Sequence, residues 1–289
     1  MGESVNSGFC RVEVAAGMWR CPGHFIIGAS LRTQFNRQRM QNIEQWSPGK
    51  YEFRNGRLRA TRDTSKLHLH SRLVADLVAA RYDDEIRAHA RGDLVDLGCG
   101  DVPLYLAYRD LVDSVTCADW PASLHATDHL DYRVDLTQTL PFDDGAFDTI
   151  ILSDVLEHLP EPGRLWTEMN RILRPGGVAL INVPFFYWLH EVPHDYYRFT
   201  EFALKRFAQE SGFEVISLEP IGGLPEVLAD LIAKKPRVIP VFGHLFRRLT
   251  AISVQKITWV YVRSIGKSMS RKTADRFPLG YFLVARKPD

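Results

Sequence analysis

The sequence predicts an α/β fold built on a parallel, doubly wound sheet. Three observations carry that expectation. From Gly92 onward, short apolar runs bounded by Gly, Pro and Asp alternate with stretches of helical period. The runs are apolar at consecutive positions, the pattern of strands buried on both faces. Polar residues recur at the carboxyl ends of those runs, the edge where open α/β sheets bind ligands.

The elements follow in order. Residues 94–97 form a first strand that ends at Gly98. Residues 114–119 (SVTCAD) are a second, 132–136 (YRVDL) a third, and 147–153 (FDTIILS) a fourth. Residues 177–183, 212–218 and 280–285 are the fifth to seventh. Between the fourth and fifth, Leu165, Met169, Ile172 and Leu173 repeat at helical spacing over 162–173, and Arg-Pro-Gly-Gly stops the helix. A helix over 200–212 has Thr200 as its N-cap, with Phe202, Leu204, Phe207 and Ala208 apolar. Residues 65–80 are a helix leading into the sheet.

The chain has 289 residues, enough for one large domain with additions. Residues 40–289 are expected to be that domain, with 221–279 as a basic amphipathic insertion before the last strand. Residues 1–39 carry no clear period; they read as a loosely ordered extension or as the product of a start placed upstream. Apolar residues are 45%, charged residues 25%, and the formal charge is +1, so no global polyanion-binding signature exists. The four cysteines (Cys10, Cys21, Cys99, Cys117) show no CxxC pairing, so neither a disulfide scaffold nor a cysteine zinc site is suggested. Cys99 and Cys117 read as small buried apolar residues. No run of about 18 apolar residues occurs, and the first 30 lack the basic start and apolar core of a signal peptide. A cytoplasmic protein is expected.

The chemistry begins at Asp96-Leu-Gly-Cys-Gly100, a glycine turn closing the first strand. Such a turn lets a ligand approach the backbone closely. Asp119 ends the second strand 19 residues after Gly100, near the spacing of about 20 at which an acid binds ribose hydroxyls in Rossmann-like units. Asp135 lies at the end of the third strand, and Ser153 and Asp154 close the fourth. Taken singly, each Asp is equally suited to capping a turn.

The ordered run VDLGCG…ADW…RVDL…LPFDDGAFDTIILSDVLEHL…RILRPGGVALINVP resembles class I SAM-dependent methyltransferases, specifically the UbiE/methyltransferase-11-like group. The resemblance is close over residues 93–184 and looser to 285. It implies a Rossmann-like seven-stranded sheet of order 3-2-1-4-5-7-6, with the seventh strand antiparallel. It implies S-adenosyl-L-methionine as cofactor. By that resemblance Asp96, Leu97, Gly98, Cys99 and Gly100 hold the amino-acid end. Asp119 binds the ribose, Trp120 lies against the adenine, and Asp135 accepts from the adenine amino group with Leu136 packed nearby. Ser153, Asp154 and His158 line the floor near the sulfonium. One departure is plain: where the family often has a third glycine, this chain has Val102 followed by Pro103. That weakens a pyrophosphate-binding reading, because NAD or FAD needs the backbone close to its phosphates.

The loop 185–200 contains His190-Glu-Val-Pro-His194, a formal HExxH match. A zinc protease needs that motif on a helix, and Pro193 lacks the N–H a helix requires. No metal site is expected there. The same loop follows the fifth strand on the ligand edge. Methyl transfer to a hydroxyl calls for a base, and His190 and His194 are candidates, oriented by Glu191 or Asp195. Tyr196, Tyr197 and Arg198 are expected to shape an acceptor pocket or pair with an anionic group; a structural loop is the plainer reading of the same residues. The resemblance leans toward a small-molecule, sugar or glycolipid acceptor of the bacterial cell-surface kind. A quinone, RNA or protein acceptor, or a non-catalytic SAM-binding protein, are the rivals.

Between residues 221 and 272, ten Lys and Arg face only Glu226 and Asp230, a formal charge of +8. Interleaved with Leu, Ile, Phe and Trp259, they read as amphipathic helices that lie over the acceptor site and touch an anionic membrane. Nucleic acid is disfavoured, because the aromatics form no stacking motif.

Overall fold

The structure is a computed structural model. It describes residues 40–121, 129–238 and 266–289, together with the single residues 249, 253, 257, 260 and 261. All belong to one compact unit, Arg37–Asp289. The expected extension 1–39 lies outside the described residues, as do most of 239–265 in the basic insertion, Trp259 included.

The chain enters through a hairpin of β1 (Tyr51–Arg54) and β2 (Arg57–Ala60). Its register, Arg54 opposite Arg57, leaves Asn55-Gly56 as the two-residue turn, both with positive φ (52° and 71°). That is the combination a tight hairpin favours. A helix, α1 (Arg72–His89), packs on this hairpin and buries Val78, Ala79, Tyr82 and Ile86 at helical spacing. It differs from the helix expected over 65–80. Asp63 accepts from the N–H and hydroxyl of Ser65, a local turn that competes with helix at its start. The apolar period continues past residue 80 to Ile86.

The sheet comprises β3 (Asp93–Leu97), β4 (Ser114–Asp119), β5 (Tyr132–Arg133), β6 (Phe147–Ser153), β7 (Leu173–Pro184), β8 (Glu214–Ile221) and β9 (Gly280–Arg286). The spatial order is β5-β4-β3-β6-β7-β9-β8. Counted within the sheet this is 3-2-1-4-5-7-6. The strands β3, β4, β5, β6 and β7 pair in parallel, and β9 runs antiparallel to both β7 and β8. The third strand is shorter than expected, two exposed residues at the sheet edge. The chain then turns on itself, Val134 N–H donating to Asp119 O.

Side chains alternate across the sheet. Val95, Leu97, Ile150 and Leu152 face one layer, which holds Leu165, Trp166, Met169 and Ile172 of α3 (Pro162–Ile172) and Leu204 and Ala208 of α4 (Glu201–Glu210). The expected N-cap is in place: Thr200 Oγ1 accepts from Ala203 N–H at 3.2 Å. Leu94, Cys117, Ile151 and Leu180 face the other layer with α1 and the single-turn α2 (Tyr105–Tyr108). Two more helices, α5 (Leu224–Val238) and α6 (Gly266–Thr273), precede β9. Because β3 sits between β4 and β6, the chain reverses its direction of winding there, and a crevice opens above the ends of β3 and β6.

Candidate active site

A cavity of about 1060 Å³ occupies that crevice. Its floor is the turn after β3. Gly98 has φ 68°, and a Cβ there would stand 2.5 Å from Val155 Cγ2. Only glycine fits this crossing. Val102, at the third-glycine position, is fully buried and adopts φ 51°. The backbone thus takes the path a glycine would take, at a cost of roughly 1–2 kcal/mol for a side chain in the left-handed region. Asp154 (φ 56°) and Glu191 (φ 52°) are also left-handed, and both line the cavity. Strained backbone of this kind gathers at functional sites.

Of the twelve residues expected around the cofactor, eleven line this cavity: Asp96, Gly98, Cys99, Gly100, Asp119, Trp120, Asp135, Leu136, Ser153, Asp154 and His158. Leu97 is not among the lining residues; its side chain is fully buried in the core between the sheet and α3. Asp119 is anchored by Gly100 N–H at 3.0 Å and Trp120 N–H at 2.7 Å. Asp135 uses one oxygen to accept from the N–H and hydroxyl of Thr137, a turn role that leaves its other oxygen for a ligand. Asp96 is buried and accepts from Tyr108 O–H at 2.8 Å. Burial pushes its carboxyl up to about 7; the Tyr108 hydrogen bond and Lys50 oppose that, and Asp119 adds to it.

The acceptor-side loop closes the other wall. Residues 190–194 form a turn and no helix, His194 N–H donating to Glu191 O. The two histidines separate. His194 lines the cavity, its ring edge-on to Trp120 (centroids 5.5 Å) and its Nδ1 3.4 Å from Tyr196 Oη. His190 does not line it; the ring packs behind, against His158 and Tyr187, and burial lowers its basicity. Asp195 does not line the cavity either. It takes both Arg198 guanidinium nitrogens and the His190 N–H, and Arg198 holds its carboxyl well below the usual carboxylate range. Arg198 is thereby committed: it also donates to the carbonyls of Trp188 and Tyr197. The expectation that it pairs with an anionic substrate gives way to a role as the clasp of this loop.

Two groups escaped the sequence reading. Lys50, just before the hairpin, lines the cavity 3.9 Å from Asp154. The Tyr51 oxygen, then Asp154, favour its ammonium form against the cost of burial. The Asn55-Gly56 signal could have found the hairpin, but not where it docks. Glu157 is fully buried beside His158, and burial raises its carboxyl well above the ordinary range. Nothing in its local spacing marks it.

The basic insertion also needs correction where it is described. Lys234 is buried, pairs with Asp230, and lies 3.7 Å from the Tyr187 ring centre. Glu226 is buried as well, accepting from Gly223 N–H. Among the described side chains of α5 the exposed ones are Leu228, Leu231 and Ile232, whereas exposed Lys267, Arg271 and Lys272 belong to α6. No helix among the described residues is long and apolar enough to cross a membrane.

The sheet order and the antiparallel last strand are those of a Rossmann-like methyltransferase fold, and acids stand above β3, β4 and β6. Residues 95–181 match the family described as "Methyltransferase domain". It is similar to an uncharacterized methyltransferase of Mycobacterium sp. (strain JLS), 38% identical over 26% of this chain and 31% of the relative. It is also similar to a ubiquinone biosynthesis O-methyltransferase of Xanthomonas oryzae pv. oryzae (strain PXO99A), 33% identical over 40% of this chain and 51% of the relative. The match thus spans a third to a half of the length of these relatives. A solved SAM-dependent methyltransferase from Archaeoglobus fulgidus aligns over 75% of this chain and 97% of its own, with 14% identity and TM-score 0.47.

Proposed function

We propose that this chain transfers a methyl group from SAM to a hydroxyl of a small-molecule acceptor, a sugar or glycolipid. One observation carries the reading: a single cavity is lined both by the acids of β3, β4 and β6 and by His194. At about 1060 Å³ it exceeds the roughly 300–1,000 Å³ typical of a one-ligand pocket, which leaves room for cofactor and acceptor together. When bound, SAM supplies an electrophilic methyl on a sulfonium. The glycine-bearing backbone at Gly98 and Gly100 would admit its amino-acid end, with Asp96 to pair with the ammonium. Asp119 would accept from the ribose hydroxyls. Trp120 would cover the adenine, and Asp135 would accept from its amino group. His194 takes the acceptor proton, and holding nucleophile and methyl in line supplies much of the rate.

The O-methyltransferase named among the relatives supports oxygen as the methylated atom, and it favours a quinone as the second acceptor class. The apolar face of α5 beside the basic residues of α6 supports peripheral contact with an anionic membrane, at the inner face of a cytoplasmic membrane where a glycolipid acceptor would lie. The test offers labelled SAM with glycolipid, sugar-nucleotide and quinol acceptors to the full chain and reads methyl incorporation by mass spectrometry. A methyl ether on a sugar or glycolipid is the expected product; a methylated quinol selects the second class. His194→Ala is expected to lower kcat by about 10²–10⁴ with unchanged KM for SAM. Undiminished kcat overturns the role of His194, and SAM binding without turnover on any acceptor marks a non-catalytic binder.

A further inference from the structure

The 3-10 turn Leu156–His158 and the loop after β7 bring together three side chains, of which His158 also lines the cavity and neither Glu157 nor His190 does. Glu157 is 0% exposed, and neither carboxylate oxygen has a hydrogen-bond partner. A buried carboxyl is costly unless a donor or a cation faces it. What faces it here is two imidazoles. Glu157 Oε1 lies 3.7 Å from His158 Nε2 and 3.9 Å from His190 Nε2. One ligand atom from each of the three residues falls within 4.8 Å of the others. These separations are too long for hydrogen bonds. The two Glu157 distances lie about 0.3 and 0.5 Å outside the roughly 3.4 Å between ligands that sit about 2.1 Å from one tetrahedral ion, and the two rings must close toward each other within the 4.8 Å bound.

The far sides of the rings are arranged for the same purpose. His158 Nδ1 lies 2.6 Å from the His194 carbonyl oxygen. In the neutral ring that nitrogen carries the proton and Nε2 presents its lone pair toward Glu157. His190 Nδ1 faces Asp195 Oδ2 at 3.4 Å without forming a hydrogen bond there. Histidines that bind metals through one nitrogen commonly donate the other N–H to a carbonyl or carboxylate. Asp195 is in turn fixed by Arg198. On the open side, Glu191 Oε2 is 3.8 Å from His158 Nε2 and half exposed to the cavity. It can complete the ligand set or yield that position to a solute.

We propose that Glu157, His158 and His190 form a binding site for one divalent transition-metal ion of the zinc class. Two nitrogens and one carboxylate suit zinc and its neighbours and disfavour magnesium or calcium, which prefer all-oxygen sets. The ion ties the acceptor loop to the turn after β6, with its fourth position toward the cavity. His190, half of the rejected HExxH match, thus ligates with partners distant in sequence, while His194 turns away to Trp120. The site does not depend on the methyltransferase reading.

The test uses the full chain stripped of metal by a chelator and titrated with zinc against a chromophoric competitor. The expected result is one equivalent per chain, with magnesium failing to compete. Glu157→Gln is expected to weaken zinc binding at least roughly 100-fold. His194→Ala should leave it unchanged, because only the backbone of that residue meets His158. A measurement on the unmodified chain needs no variant: zinc should protect His158 and His190, and not His89, from acylation by diethylpyrocarbonate, read by peptide mass spectrometry. No zinc binding by the folded chain, equal binding by Glu157→Gln, or unprotected His158 and His190 would overturn the site.

Discussion

Asp96→Asn isolates the cost of a carboxylate held under the cofactor. Asp96 is buried, and its carboxyl stands near 7 instead of the ordinary 3.8. The folded state therefore holds its proton at pH values where the unfolded chain has lost it. A raised carboxyl contributes stability that is complete below about pH 4 and is lost as pH rises through 7. At 1.36 kcal/mol per unit, a rise of about three units amounts to roughly 4 kcal/mol. Asparagine keeps an oxygen for the Tyr108 O–H but cannot ionise. Its stability relative to the native chain should therefore climb by roughly 4 kcal/mol between pH 4 and pH 8, with most of the slope between 4 and 7. Urea unfolding of both proteins across that range gives the difference directly. Other carboxyls, such as Glu168 and Asp93, are shifted downward, and their opposite pH dependence cancels in the comparison. A difference that stays flat within about 1 kcal/mol would refute the claim that Asp96 is protonated in the folded chain near neutrality.

Three further outcomes are expected. Gly98→Ala drives a Cβ to within 2.5 Å of Val155 Cγ2 at φ 68°; by calorimetry it should bind S-adenosylhomocysteine at least tenfold more weakly, or destabilise the fold by about 1–3 kcal/mol. Trp166→Ala, at a fully buried position between α3 and the sheet, should cost about 3–5 kcal/mol in urea unfolding and leave cofactor affinity within a fewfold in the folded fraction. The full chain should sediment with anionic liposomes at low salt and be released as salt rises; absence from the pellet at low salt removes the membrane reading.

The sheet was legible because its strands are buried on both faces. Runs such as Phe147–Ser153 and Ser114–Asp119 are apolar enough to announce their own limits. Where that signal thins, the expectation slipped: the edge strand Tyr132–Arg133 is exposed on both residues and stops short of the YRVDL run. The start of α1 moved because an Asp63–Ser65 turn intervenes.

The cofactor side of the site was legible for a related reason. Acids at strand ends mark an edge of the sheet, and strand order brings those ends together. Leu97 stays out of the lining because its side chain is spent on the core between β3 and α3. The acceptor side depends on loop packing, which no local period encodes. His190 and His194 lie four apart, yet one faces the cavity and the other a buried carboxyl. Glu157 sits in a run that resembles an ordinary turn, and Lys50 reaches the cavity only because the hairpin docks on α1. Arg198 shows the converse: a residue suited to an anion spends its donors on Asp195 and nearby carbonyls.

The central claim is a SAM site above β3, β4 and β6, and calorimetric titration of the pure folded chain with S-adenosylhomocysteine tests it most directly. One molecule should bind per chain, and Asp119→Ala should bind about 100-fold more weakly, the loss of two hydrogen bonds to a charged acceptor at about 1.5 kcal/mol each. No binding by the folded native chain, or an Asp119→Ala affinity equal to the native one, would contradict it.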